Sequence, residues 1–230
     1  MALKSVFLPH PEPEGDRLRI SGDEHHHLTV ARAAIGEMIE VLDGQGGVWT
    51  AEVVAASRRE TVVRIAERRH VQRSGPEVIL AMSLIKPSAF ELALEKAVEV
   101  GVARFIPVIA HRSNVTSSRR SDRWTRIVIE AAKQSKCFHL PAVEEPVKFE
   151  NVLNVPSATK IVFAQRGGGP LKSALAGSPA LCLVGPEGGW TDAELEAARV
   201  KGFSLVGLGD TILRSETAAI VGAALLRYEL

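Results

Sequence analysis

Leu183-Val-Gly-Pro-Glu-Gly-Gly-Trp190 and, one helix and one strand later, Gly207-Leu-Gly-Asp-Thr-Ile-Leu-Arg-Ser-Glu-Thr-Ala218 are the stretches that decide the fold. Each follows an apolar run of strand length, Ala180 to Val184 and Phe203 to Leu208, and each leads into a helix. Ligands of open α/β sheets bind outside the carboxyl ends of the strands, so two such turns in succession are expected to frame one pocket. The first turn argues against a phosphate. Pro186 removes a backbone donor, Glu187 adds a negative charge, and no Gly-Lys-Ser/Thr follows. Gly185, Gly188 and Gly189 also miss the dinucleotide spacing G-x-G-x-x-G. Closely approachable backbone beside a carboxylate suits ribose hydroxyls or a cationic group. A single loop of this kind reads equally well as a tight turn that needs glycine backbone angles; the pairing of two favours a site.

The helices after the loops are marked locally. Thr191-Asp-Ala-Glu194 is a capping-box sequence, and the helix it opens is expected to run to about Lys201, with Gly202 as its left-handed stop. After the second loop Ser215 is the expected N-cap. From Thr217 to Leu226 the chain is almost wholly apolar, with small residues at Ala218, Ala219, Gly222, Ala223 and Ala224. A helix apolar on every side is buried, and this one is too short to cross a bilayer. Its small residues fit two readings, packing within the monomer or against a neighbouring subunit.

Working outward, the chain divides at the polar turn Gln72-Arg-Ser-Gly-Pro76. Before it, in residues 1–72, short strand-like runs alternate with turns: Ser5 to Leu8, Leu18 to Ser21, Glu37 to Leu42, Val48 to Ala55 and Thr61 to Glu67. One short helix fits at about Asp23 to Ala33, and the whole reads as a small β-barrel. After it, in residues 77–230, strands and helices alternate, which argues an α/β domain with a mostly parallel sheet. Its further elements are Glu77 to Ile85, Phe90 to Val100, Phe105 to Ala110, Asp122 to Ser135 and Lys160 to Ala164. Residues 140–156 carry few signals of either kind.

Composition excludes several classes. A chain of 230 residues with 46% hydrophobic content can bury one large core or two smaller ones. Two cysteines, Cys137 and Cys182, do not make a disulfide framework. The start is soon broken by prolines and charge, so it is no signal peptide, and the expected compartment is the cytoplasm. His25-His-His27 invites a metal reading, but adjacent histidines cannot all face one side of a helix and no ligand cluster accompanies them; no metal is expected. The net charge of +1 hides two basic clusters, Arg58 to Arg73 and Arg112 to Lys136. On a helix from Asp122, Trp124, Ile127, Val128 and Ala131 face inward, leaving Arg123, Arg126, Glu130 and Lys133 outside. Such a face is either simply solvated or makes phosphate contacts.

The pairing of Val184-Gly-Pro-Glu-Gly-Gly189 with Ile212-Leu-Arg-Ser-Glu-Thr-Ala218 resembles the RsmE family of 16S ribosomal RNA (uracil-N3)-methyltransferases, of the SPOUT class. Supporting stretches are Leu84-Ile-Lys86, Glu95-Lys96-Ala97, Ala110-His-Arg-Ser113, Ile127 to Ser135 and, near the start, His27-Leu-Thr-Val-Ala-Arg32. The chain departs from the family pattern at Ala31, at Pro87-Ser88-Ala89 and at Lys136-Cys137. The resemblance implies a trefoil-knotted parallel-sheet domain behind a PUA-like RNA-binding barrel. It implies S-adenosylmethionine as cofactor, small-subunit ribosomal RNA or the assembled subunit as partner, and a homodimer joined through the knotted domain. Gly185, Pro186, Glu187, Gly188, Leu208, Gly209, Ile212 and Leu213 are then expected to hold the adenosine. Arg214 is expected to orient the uracil or stabilise its N3 anion, unless it forms an ion pair with Glu187 or Glu216 that braces the loops. Glu216 and Thr217 are the other catalytic candidates. Arg32, Lys86, Arg112, Arg119, Arg120, Arg123 and Arg126 are the RNA-binding candidates. Two rival readings stand beside this one, a SPOUT-type 2′-O-ribose methyltransferase and a non-catalytic RNA-binding module.

Overall fold

A computed structural model describes residues 3–113, 122–165 and 167–230. By its contacts the chain forms two units, Met1–Arg73 with Ala132–Leu140, and Ser74–Ala131 with Pro141–Leu230.

The first unit holds β1 (Lys4–Phe7), β2 (Arg17–Ser21), β3 (Met38–Leu42), β4 (Gly47–Ala56) and β5 (Glu60–His70); buried and exposed residues alternate along β2, whereas four of the five residues of β3 are buried. The strand order is β1-β3-β4-β5-β2, with β1 and β3 parallel and the other pairs antiparallel. The path is open, a half-barrel with β1 and β2 as its edges. Helix α1 (Gly22–Val30) packs against both edge strands and against β5. Leu18, Ile20, Leu28, Val41, Val53 and Val63 fill the core beneath it.

The second unit alternates strand and helix as its periodicity requires. Its elements are β6 (Val78–Ser83), α2 (Pro87–Glu99), β7 (Arg104–Ile109), α3 (Asp122–Ser135), β8 (Ala142–Val143), β9 (Val147–Lys148), α4 (Phe149–Val152) and β10 (Thr159–Phe163). There follow a 3-10 turn at Leu171–Ala174, β11 (Ala180–Val184), α5 (Asp192–Val200), β12 (Ser204–Val206) and α6 (Ser215–Glu229). The sheet order is β12-β10-β11-β6-β7-β8, with β9 also on β7, and every pairing is parallel. Every residue of β6 and β11 is buried, because a parallel sheet covered on both faces leaves its central strands no polar side. Cys182 lies in β11, where burial pushes its thiol up to about 12, so it behaves as a small core residue.

Having reached the edge at β12, the chain returns to the centre of the sheet, where α6 packs against α2, β6 and β11. Ala219, Gly222, Ala223 and Leu226 form the buried face of α6. At Gly222 a Cβ would sit 2.3 Å from the Phe163 ring. Packing within the monomer therefore accounts for the small residues of that face. The cap of α6 is Arg214 and not Ser215, which is the first helical residue.

The end of α3, from Ala132 onward, belongs to the first unit and departs from the expected outward face. Lys133 is buried, with both oxygens of Glu24 in α1 within 3.2 Å of its ammonium. One turn on, Lys136 reaches Ser5 and Glu40 of the first unit's sheet. Of the residues expected to face inward, Trp124, Val128 and Ala131 are buried and Ile127 is half-buried. Among the described residues no helix is long and apolar enough to cross a membrane, and no His/Cys/Asp/Glu cluster could hold a metal.

Candidate active site

Strand β10 has β11 on one side and β12 on the other, and the carboxyl ends of all three lie together. Between them lies a cavity of about 380 Å³, within the roughly 300–1,000 Å³ usual for small-molecule sites. Its walls come from the end of β10 (Phe163, Ala164 and Gln165), from the first loop and the start of α5, from the second loop, and from the first turn of α6.

The first loop is held from several sides. Its Trp190 indole N–H donates to the Phe163 carbonyl at 3.2 Å, and the ring packs 5.1 Å from Phe149. Gly185 lies against that indole; a Cβ would meet it at 3.1 Å. Gly188 rests on the Arg112 side chain, whose guanidinium donates to the carbonyls of Gly188 at 2.8 Å and Trp190 at 3.3 Å. The capping box forms as expected: the Glu194 N–H donates to the Thr191 hydroxyl, and the Thr191 N–H donates to the Glu194 carboxylate at 2.8 Å. The other oxygen of this buried carboxylate accepts the His111 N–H at 2.9 Å, fixing the turn that carries Arg112. Two of the free N–H groups at this helix start are thus met by side-chain oxygens, and Pro186 supplies no donor, which disfavours a phosphate there.

The second loop is held at its base. There the segment after β10 runs alongside, with the Gly169 N–H donating to Leu205 at 2.9 Å and the Gly207 N–H to Gly169 at 3.2 Å. Backbone meets backbone so closely that a Cβ on Gly168 would lie 2.3 Å from the Gly207 nitrogen. Gly209, with φ of +113°, makes the bend that follows. Arg214 is exposed, and among the described residues no ion pair joins it to Glu187 or Glu216.

Six of the eight residues expected around an adenosine line the cavity: Gly185, Pro186, Gly188, Leu208, Gly209 and Leu213. Glu187 and Ile212 do not; Glu187 is exposed and Ile212 is 73% exposed. Arg214, Glu216 and Thr217 stand outside the lining, whereas their neighbours Ser215 and Ala218 belong to it. Arg112 borders the cavity, Arg32 and Lys86 are exposed, and Arg126 is exposed on α3. Arg123 pairs with Glu91 at 2.7 Å. Arg119 and Arg120 lie outside the described residues. Sequence reasoning missed the wall made by Phe163, Ala164 and Gln165, and also Trp190, Asp192, Leu195 and Thr211. The glycine run Gly167-Gly-Gly169 after β10 was the available signal for a third loop.

The cavity suits a nucleoside better than a nucleotide. Val184, Pro186, Leu195, Leu208 and Leu213 offer apolar surface for a base, and the glycines admit close backbone approach. Comparison with known proteins agrees. Residues 73–227 match the family model of an RNA methyltransferase domain, and residues 20–66 that of an RNA methyltransferase PUA domain. The fold and site are those of the RNA methyltransferase class, SPOUT type. Ribosomal RNA small subunit methyltransferase E of Synechocystis is 33% identical, covering 97% of this chain and 77% of its own. The Bacillus subtilis protein of that name is 31% identical over 94% and 91%. A crystal structure of ribosomal RNA small subunit methyltransferase E from Neisseria gonorrhoeae, bound to S-adenosyl methionine, superposes with a TM-score of 0.92 at 29% identity, covering 99% and 98%. The chain belongs to the ribosomal RNA small subunit methyltransferase E family.

Proposed function

We propose that this protein transfers a methyl group from S-adenosylmethionine to N3 of a uridine in small-subunit ribosomal RNA. The observation that carries the reading is the cavity lined by glycines and apolar side chains at the strand ends, in a chain that aligns over nearly its whole length with ribosomal RNA small subunit methyltransferases E. The cofactor, when bound, supplies a methyl group activated by a sulfonium centre. Gly185, Pro186, Gly188, Leu208, Gly209 and Leu213 hold its adenosine by shape and backbone groups, with Glu187 and Ile212 at the rim. The protein's part in the barrier reduction is alignment, because the attacking nitrogen must lie in line with the methyl carbon. N3 is a weakly acidic imide on the Watson–Crick edge, so the base must be unpaired and the proton must leave before or during attack. Arg214, exposed and without an ion pair to Glu187 or Glu216 among the described residues, meets the uracil in this reading and favours its anion. Glu216 and Thr217 in the same turn assist binding or proton removal.

The first unit and the exposed cations Arg32, Lys86 and Arg126 supply affinity for RNA phosphates, with little sequence reading. Arg112 and Arg123, already committed to loop carbonyls and to Glu91, contribute less than their charge suggests. The enzyme works in the cytoplasm as a homodimer joined through the second unit.

Incubating unmodified small subunits, and their RNA alone, with labelled S-adenosylmethionine tests the reading. Nucleoside mass spectrometry is expected to find the label on N3 of uridine. Label on a ribose 2′-oxygen establishes the rival SPOUT activity. Absence of label together with absence of cofactor binding leaves a non-catalytic RNA-binding module.

A further inference from the structure

Helix α1 ends on an arginine where a glycine would fit better. The Arg32 N–H donates to the Thr29 carbonyl at 3.0 Å and the Ala33 N–H to the Leu28 carbonyl at 2.9 Å, the paired bonds of a Schellman stop. That stop needs a left-handed residue after the helix, and Arg32 supplies it with φ of +50°. Glycine takes this conformation freely, whereas a residue with a Cβ is strained in it. The stop serves the fold through Ala33, which packs with Leu28 in the first unit's core. The Arg32 side chain gains nothing there: it is exposed, with no hydrogen bond or ion pair among the described residues. Glu37, the acid nearest to it in sequence, is taken by Lys4 at 2.7 Å, so the guanidinium charge stands uncompensated. On either side of Arg32 in the chain are Val30, 68% exposed, and Ile35, 71% exposed. These are the most exposed large apolar side chains of the first unit among the described residues. The segment is nonetheless fixed, the Ala34 N–H donating to the Glu37 carboxylate at 3.0 Å and the Gly36 N–H to the Val53 carbonyl at 2.8 Å.

We propose that Val30, Arg32 and Ile35 form a corner that grips an unpaired nucleotide of the RNA, Arg32 meeting its phosphate and the two apolar side chains lying against its base. The inference rests on the reading of the substrate as RNA, and adds a means by which the first unit tells single strand from duplex. A cation alone attracts any polyanion and needs no strained backbone to do so. Apolar surface beside it selects, because bases show their faces only where a strand is unstacked. Sequence plays little part, since every base has such a face. A corner fixed before RNA arrives also loses little freedom on binding. The left-handed strain at Arg32 then has a function, placing a charge between two apolar side chains on one rigid turn.

The test is fluorescence anisotropy of the full chain with a labelled single-stranded RNA of mixed sequence and with a duplex of the same length, over a range of salt. The wild type is expected to favour the single strand. Val30→Ser and Ile35→Ser are each expected to weaken single-strand binding roughly three- to tenfold, leaving duplex binding and salt dependence unchanged. Arg32→Gly is expected to weaken single-strand binding and to lower the slope of log affinity against log salt by about 0.7, the mark of one phosphate contact. Its thermal midpoint is expected to be no lower than that of the wild type, because glycine relieves the strain; a lower midpoint makes Arg32 a structural residue and overturns the proposal. Equal wild-type affinity for strand and duplex, or unchanged single-strand affinity in all three variants, overturns the corner while the substrate reading stands. Variants that bind and methylate naked RNA normally but fail on assembled subunits show that the corner seats a ribosomal protein, which also overturns it. A wild type that binds no RNA, free or in the subunit, overturns the substrate reading and the corner with it.

Discussion

The two loops that frame the cavity are built to opposite specifications. The first, from Gly185 to Trp190, is anchored by an indole N–H on Phe163, a guanidinium on two of its carbonyls, and a capping box directly behind it. The second, from Leu208 to Leu213, makes no backbone hydrogen bond among the described residues, and its Gly209, Asp210, Thr211 and Ile212 are exposed. It leads to Arg214, a cap without a side-chain cap bond. Segments with few buried contacts and few hydrogen bonds open at low free-energy cost. The contrast therefore assigns shape to the first loop and adjustment to the second.

Four substitutions bear on that contrast. Gly168→Ala forces a side chain into the backbone crossing at the base of the second loop, and is expected to destabilise by roughly 1–3 kcal/mol or more. Chemical denaturation measures this, and an unchanged midpoint means the crossing is looser than described. Glu194→Ala removes the cap acceptor and orphans the His111 N–H, for an expected loss of about 1–2 kcal/mol. Cofactor affinity should fall with it, since the first loop loses its backing; unchanged affinity breaks the idea that this loop is preformed. Trp190→Phe deletes the bond to Phe163 and is expected to cost about 1 kcal/mol in the same assay. Arg214→Ala is expected to change stability by no more than about 0.5 kcal/mol. It should leave cofactor affinity intact and greatly lower methylation in single-turnover assays; parallel loss of cofactor binding would show that Arg214 braces the loops after all.

Legibility in the sequence followed the range of the interactions. The capping box, the stop at Gly202 and the buried strand β11 obey rules that act over a few residues, and they stand where Thr191, Gly202 and Ala180 to Val184 indicated. The burial of Lys133 was not legible, because its partner Glu24 lies 109 positions away and nothing local distinguishes it from a solvated helix face. The wall from Phe163 to Gln165 was missed for a similar reason. A strand end acquires a role only from the strands beside it, and β10 is flanked by β11 and β12, both later in the chain. Ser215 was preferred as a cap because serine usually accepts the first-turn N–H, yet α6 starts from Arg214 without a side-chain acceptor. Residues 140–156 hold only two-residue strands and one turn of helix, too short for a periodic pattern to register.

Trp190 gives the molecule a fluorescent gauge of its own. The chain has three tryptophans, and Trp190 is the one that lines the cavity. Its indole touches Gly185 on one side and is tied to Phe163 on another, so filling the cavity changes the polarity and rigidity around it. With Trp49 and Trp124 replaced by phenylalanine, emission from a single ring would report occupancy in real time, with no dye attached.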